Sequence, residues 1–174
     1  MIEFFKKIIE FLHKYNIPYM LSGSVAMSLY TLPRSTRDFD FVVQLSMDDI
    51  PFFESEFADD YYCDKESIHD AIHHNGMFNI IDHASGFKAD FMILKNEDYR
   101  KTEFDRRILS TFLDIPISVV TKEDLILSKL IWIQDYQSPI QIQDIISLTQ
   151  QQDYDTAYLN KWVNTLELST FNLL

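Results

Sequence analysis

Residues 19–43, YMLSGSVAMSLYTLPRSTRDFDFVV, decide how this chain is read. Tyr19, Met20 and Leu21 form a short apolar run that reads as a buried strand. Ser22-Gly23-Ser24 breaks the run, and residues 25–32 read as a helix that ends before Pro33. From Asp38 the pattern alternates. Phe39, Phe41, Val43 and Leu45 point one way, and Asp38 and Asp40 point the other. That predicts a second strand over 38–45 with an apolar face and an acidic face.

Working outward, Ile2, Phe5, Ile9 and Leu12 recur at helical spacing, so 2–15 reads as an amphipathic helix stopped by Asn16 and Pro18. Asp49 and Pro51 announce a helix over 50–57. Residues 58–76 are polar and irregular. Strands are expected at 77–81 and 87–94, paired about a turn near Ser85-Gly86. A charged helix follows over 97–109, then a short strand at 117–120. Thr121-Lys122-Glu123-Asp124 resembles a capping box and opens a helix to residue 134. Ser138-Pro139 opens another to residue 150, and a last helix covers 155–168. The expected fold class is α+β (mixed α/β): a small mixed sheet flanked by helices. Residues 1–120 form the core, and residues 121–174 form a helical C-terminal extension packing on it.

Composition narrows the function. The chain has 174 residues, of which 47% are hydrophobic and 14% aromatic, enough to build a core. Acidic residues outnumber basic ones 27 to 15, for a net charge of −12. A protein that coats nucleic acid without sequence preference carries the opposite sign, though a local basic cleft is compatible with this balance. One cysteine, Cys63, excludes an internal disulfide framework and a zinc site of several thiolates. The N-terminus lacks a signal-peptide layout, and no apolar run approaches the roughly 18–20 residues of a bilayer span. The expectation is a cytoplasmic protein with no membrane partner.

Three features carry chemistry when read together. Gly23 lets a backbone approach a ligand closely, and Ser24 with the first N–H groups of the following helix makes a seat for phosphate; alone, the pair is an ordinary turn and cap. Asp38 and Asp40 lie on one strand face with Cβ atoms roughly 6–7 Å apart. Such a pair either faces solvent or repels until a cation arrives, and magnesium takes one or two carboxylates together with substrate phosphates. Asp90 stands in an apolar strand, so it needs a basic partner or a metal. If its strand lies beside 38–45, three carboxylates face the phosphate seat as in a two-metal site for phosphoryl transfer. Lys129, amid Leu125, Leu127, Leu130, Ile131 and Trp132, either snorkels from the core edge or reaches into a cleft. Asp144 by itself reads as a solvated helical residue. Arg34, Arg37 and Lys88 can pair with the aspartates or bind phosphate, and Arg37 belongs to the opposite sheet face if the strand has begun before Asp38. His69 and His73 have a ligand spacing only if helical, and a polar loop is the reading adopted. Cys63 reads as an inert thiol. Arg100, Lys101, Arg106 and Arg107 read as a solvated helix face, with guidance of an anionic acceptor such as tRNA as the alternative.

Gly23-Ser24, thirteen intervening residues, Asp38-x-Asp40 and a later strand centred on Asp90 resemble the signature of the DNA polymerase beta-like nucleotidyltransferase superfamily. Gly23-Ser24-Val25-Ala26-Met27 with Arg34-Ser35-Thr36-Arg37-Asp38-Phe39-Asp40 looks closer still to the AbiEii-type nucleotidyltransferases, which include toxins of type IV toxin–antitoxin systems. The block from Thr121 to Leu130, followed by Gln143-Asp144-Ile145, resembles that family's second motif. The resemblance implies a nucleotidyltransferase fold and an enzyme that moves a nucleotidyl group from a nucleoside triphosphate to an acceptor. It implies Mg²⁺ as cofactor, as two ions with Mn²⁺ as the alternative. Gly23 and Ser24 would hold the triphosphate, and Arg37 is kept beside them as a candidate nucleotide contact. Asp38 and Asp40 would bind both metals. Asp90 would bind the catalytic metal and help deprotonate the attacking hydroxyl. Lys129 would contact phosphates or assist the chemistry, and Asp144 would orient it or bind the nucleotide. Gln143 departs from the pattern, because relatives often carry Arg there. The toxin likeness suggests an RNA or tRNA acceptor and a cognate antitoxin protein. A small-molecule acceptor such as an aminoglycoside, suited to an acidic pocket, is the second reading, and a catalytically silent nucleotide-binding or interaction module is the third.

Overall fold

The computed structural model describes residues 1–174. Helix α1 (Ile2–Lys14) turns one stripe inward: Phe4, Phe5, Ile8, Ile9, Phe11 and Leu12 are all buried. Asn16 adopts φ 52° and sends the chain into β1 (Tyr19–Ser22). A one-and-a-half-turn helix, α2 (Gly23–Met27), follows directly. After a loop come β2 (Asp38–Val43), a 3₁₀ turn over Met47–Asp49, and α3 (Ile50–Glu56). Then come β3 (Tyr61–Cys63), α4 (Lys65–His74), β4 (Met77–Asp82), β5 (Lys88–Ile93) and α5 (Asp98–Asp105). The hairpin of β6 (Ile108–Phe112) and β7 (Ile115–Val119) closes the sheet. All later elements are helical: α6 (Lys122–Trp132), α7 (Pro139–Thr149) and α8 (Thr156–Thr165).

Seven strands form one sheet in the order β3-β4-β5-β2-β1-β7-β6. It is mixed: β2 runs parallel to β5 and antiparallel to β1, and β1 runs parallel to β7. The acidic strand β2 is therefore the middle strand. Its odd residues build the core face. Phe39 lies 5.0 Å from Phe5 and 6.1 Å from Phe4, ring centre to ring centre, and Phe41 lies 5.5 Å from Phe91. Phe53 of α3 meets Phe78 and Phe91 edge-on at 5.4 and 5.8 Å. Each such ring contributes about 1.5–3 kcal/mol by leaving water. This face fixes the register, because a slip of one residue would bury Asp38 and Asp40 and expose the phenylalanines.

The expected mixed sheet flanked by helices is what the chain forms, with several local differences. Residues 58–76 are not irregular: they hold β3 and α4. Asp64 caps α4 by accepting from the Ser67 N–H at 2.9 Å, and Asn75 ends it in the left-handed conformation. The short polar helix has few apolar residues, so periodicity did not reveal it. The second helix stops at Met27, not at residue 32. The charged helix ends at Asp105 instead of 109, because the chain from Ile108 pairs with β7. That edge strand went unread because its two-residue turn, Leu113-Asp114, has positive φ at both positions yet carries neither Asn nor Gly. Thr121 caps this helix as expected, accepting from the Asp124 N–H, but the box is half-formed: the Asp124 carboxylate takes the Thr121 hydroxyl instead of its backbone N–H. No helix is long and apolar enough to cross a membrane.

Candidate active site

The register gathers the polar residues at one end of the sheet. Ser22 stands opposite Asp40, and Asp40 stands opposite Asp90 on the other neighbouring strand. Asp38 is opposite Lys88 on the same sheet face. Gly23 turns the chain out of β1 with φ 63°, and a methyl group there would lie 1.8 Å from Asp40 Oδ2. Only glycine satisfies both the left-handed backbone and that close approach. The phosphate seat expected at 23–24 therefore lies directly against one of the expected metal-binding carboxylates. Since α2 has only five residues, its dipole is small, and the polar character of the turn comes from its side chains.

The helical segment supplies a second layer. Lys129 and Asp144 are 5% and 2% exposed and form an ion pair of 2.7 Å. Lys129 also donates to Gln141 Oε1 at 3.0 Å. Arg34, from the loop before β2, donates to both oxygens of Asp144 at 3.1 and 3.2 Å, and to the Ser24 hydroxyl. The chain Ser24–Arg34–Asp144–Lys129 thus ties the Gly-Ser turn to α6 and α7. Burial lowers the Lys129 pKa below its ordinary value, opposed by its bond to Asp144. Asp40 feels the positive charge of Lys129, but its own pKa is raised, first by burial and then by the charges of Asp90 and Asp38. Lys129 neither snorkels to solvent nor stands alone, and Asp144 is a buried partner rather than a solvated residue.

The three acids do not yet converge as ligands of one ion, and no group of three His, Cys, Asp or Glu side chains does so anywhere in the chain. Lys88 intervenes. Its ammonium lies 2.8 Å from Asp90 Oδ2 and 3.8 Å from Asp38 Oδ1. The bond to Asp90 raises the Lys88 pKa. Of the two alternatives for Asp90, the structure shows the basic partner, Lys88, and its strand lies beside that of Asp40. The other oxygen of Asp90, Oδ1, is buried without a hydrogen-bond partner. Hard oxygen donors on one face, an orphaned carboxylate oxygen and a cation already drawn between two of the acids suit a divalent ion of the Mg²⁺ type.

Other candidates fall outside the group. Arg37 is exposed and makes no side-chain hydrogen bond or ion pair, whereas Arg34 enters the network. Gln143, where relatives often carry Arg, is exposed. His69 and His73 do lie on a helix, with parallel rings 6.3 Å apart, but no third ligand joins them. Cys63 is half-buried, and burial pushes its thiol up to about 12, so it stays an inert thiol. Of the basic cluster, Lys101 is solvent-exposed as expected, but Arg100 and Arg106 turn to internal partners. Arg100 binds Glu103 and the Ser128 hydroxyl, and Arg106 binds Asp124 and stacks 3.8 Å over the Tyr158 ring. Two surface concavities of about 460 Å³ lie away from the site, and neither is lined by Asp38, Asp40 or Asp90. The Arg34–Asp144 pair escaped sequence reading because 110 residues separate its partners. The Lys88–Asp90 contact was legible, since residues two apart on a strand share a face.

No protein-family model matches the sequence, and no curated protein matches it. Among solved structures, the chain is similar to the lincosamide antibiotic adenylyltransferase LnuA in its lincomycin-bound form, at 13% identity and a TM-score of 0.49, covering 81% of this chain and 91% of that one. It is also similar to the antibiotic-resistance factor ANT(2'')-Ia, at 12% identity and a TM-score of 0.46, covering 93% and 82%. Likeness at this level assigns neither residues nor an activity.

Proposed function

We propose that the protein is a metal-dependent nucleotidyltransferase that moves a nucleotidyl group from a nucleoside triphosphate onto a hydroxyl of its acceptor. The observation that carries this reading is the register of β2 between β1 and β5, which sets Asp40 beside Asp90 and against the Gly23-Ser24 turn. Ser24 and Arg34 hold the triphosphate, with Gly23 allowing its close approach. Arg37, exposed at the same rim, adds charge as the nucleotide arrives. Asp38, Asp40 and Asp90 hold the metal, Mg²⁺ or Mn²⁺, as one ion or two. A divalent ion there supplies positive charge where negative charge grows on the attacking and leaving oxygens. Asp90 accepts the proton of the acceptor hydroxyl. The hydroxyl oxygen bonds to the α-phosphorus, the bond to the β-phosphate bridging oxygen breaks, and pyrophosphate leaves. Lys129, oriented by Asp144, offsets charge on the phosphates. Residues 121–174 act as a helical extension of the 1–120 core that brings Lys129 and Asp144 to the site.

Charge favours a small cationic acceptor over RNA. The chain carries −12, and Arg100 and Arg106 are spent on internal ion pairs instead of facing an anionic strand. An RNA acceptor, with the antitoxin partner that reading brings, forms the other arm of the test. The protein is incubated with Mg²⁺ and each labelled nucleoside triphosphate, together with either hydroxyl-bearing polycations such as aminoglycosides or total RNA. Label passes to the small molecule with release of pyrophosphate, and Asp40→Asn abolishes transfer while the protein stays folded. Label on RNA reverses the acceptor assignment. Transfer that survives Asp40→Asn, or nucleotide binding without any transfer, removes the reading altogether.

A further inference from the structure

Lys88 is the cation that pairs directly with two of the three acids, Asp38 and Asp90. It and Asp90 are two apart on β5, so both side chains leave the same sheet face, and parallel pairing sets Lys88 opposite Asp38. Its ammonium bonds Asp90 Oδ2 and lies within ion-pair range of Asp38 Oδ1, so it spans the gap between two strands that a shared metal ligand set would span. A magnesium-type ion takes its oxygens at about 2.0–2.1 Å. An ion bridging Asp38 and Asp90 would therefore occupy the space of this ammonium, and two positive charges at contact repel strongly. The lysine has somewhere to go: its side chain is 33% exposed, and its four-carbon stem is flexible. Asp90 Oδ1, the carboxylate oxygen that Lys88 leaves free, is buried and unpartnered.

We propose that Lys88 is a built-in counter-ion that shares its seat with the divalent cation, so that ammonium and metal exclude one another between Asp38 and Asp90. The inference rests on the metal-dependent reading above and goes beyond it. Without metal, Lys88 neutralises the acids and keeps the three carboxylates from forcing β2 and β5 apart. When metal loads, the ammonium swings out toward the rim, where Ser24 and Arg34 receive the triphosphate, and adds a positive charge there. Metal affinity is thereby kept low until nucleotide supplies further ligands.

The test uses Mn²⁺ alone, titrated into the full chain with free Mn²⁺ read by electron paramagnetic resonance. Four proteins are compared: wild type, Lys88→Met, Lys95→Met as a charge-matched control two residues past the far end of β5, and Asp40→Asn. Lys88→Met binds Mn²⁺ on the order of tenfold tighter than wild type, the scale of effect one adjacent like charge exerts on a site. The gain persists in roughly 0.5 M KCl, where long-range charge effects are screened. Lys95→Met binds as wild type does, and Asp40→Asn loses binding. Lys88→Gln, which keeps a donor for Asp90, shows the same direction and covers the case in which the Met variant folds poorly. Equal Mn²⁺ affinity in wild type and both Lys88 variants, still dependent on Asp40, overturns the shared seat and leaves the metal site standing. Binding that survives Asp40→Asn, or no binding in any variant, overturns the metal-dependent reading and this inference with it.

Discussion

Asp40 shows at one residue how a site can work against the stability of its own fold. Burial and the charges of Asp90 and Asp38 raise its pKa. A carboxyl with a raised folded pKa adds stability below its unfolded pKa and loses it as pH rises through the folded value. The ionised form is thus a burden near neutral pH. In metal-free buffer, Asp40→Asn should raise the melting temperature by a few degrees near neutral pH, and the gain should vanish below about pH 4, where both forms are neutral. A variant less stable than wild type at neutral pH would count against the charge argument. The Lys129–Asp144 pair behaves oppositely on each side. Asp144→Ala strands a buried lysine and releases Arg34, so a loss of about 3–5 kcal/mol is expected in urea unfolding. Lys129→Met leaves Asp144 paired with Arg34 and should cost no more than about 1–2 kcal/mol, while lowering nucleotidyl transfer on the order of 10²–10³-fold.

Among the elements, the β6–β7 hairpin departs furthest from sequence rules. Its turn holds Leu113 at φ 50° and Asp114 at φ 63°, a left-handed pair that favours Asn-Gly. A side chain there costs roughly 1–2 kcal/mol per residue. Replacing Leu113-Asp114 with Asn-Gly should stabilise the protein by about 1 kcal/mol without touching the site, read as a higher urea midpoint at unchanged slope. An unchanged or lower midpoint would show that Leu113, only 45% exposed, packs well enough to outweigh its backbone strain. Helix α6 illustrates the reverse case. Its cap at Thr121 followed from the local sequence, yet the carboxylate of Asp124 also binds Arg106 and the Tyr158 hydroxyl, fastening α5 and α8 to the same turn.

Across the whole molecule, 27 acidic residues against 15 basic ones leave a chain that repels itself. Most of this charge is solvent-facing, so added salt screens it. The melting temperature should rise as KCl goes from roughly 10 mM to 300 mM, a range in which the Debye length falls from about 30 Å to below 10 Å. A falling value would mean that the internal pairs Arg106–Asp124 and Arg100–Glu103 weigh more than the net repulsion.

Period-two alternation in 38–45 and 87–94 was enough to place Asp38 and Asp40 on one face of their strand and Asp90 with Lys88 on one face of theirs, because side-chain direction on a strand follows from local backbone geometry alone. The Gly-Ser break, the Thr121 cap and the amphipathic first helix were legible for the same reason. Tertiary structure decided the rest. Strand order made β2 and β5 neighbours, and the path of the 28–37 loop brought Arg34, and not Arg37, onto Asp144. Charges pair within a few ångströms, and which ones come that close depends on how distant segments pack, a property no spacing along the chain records.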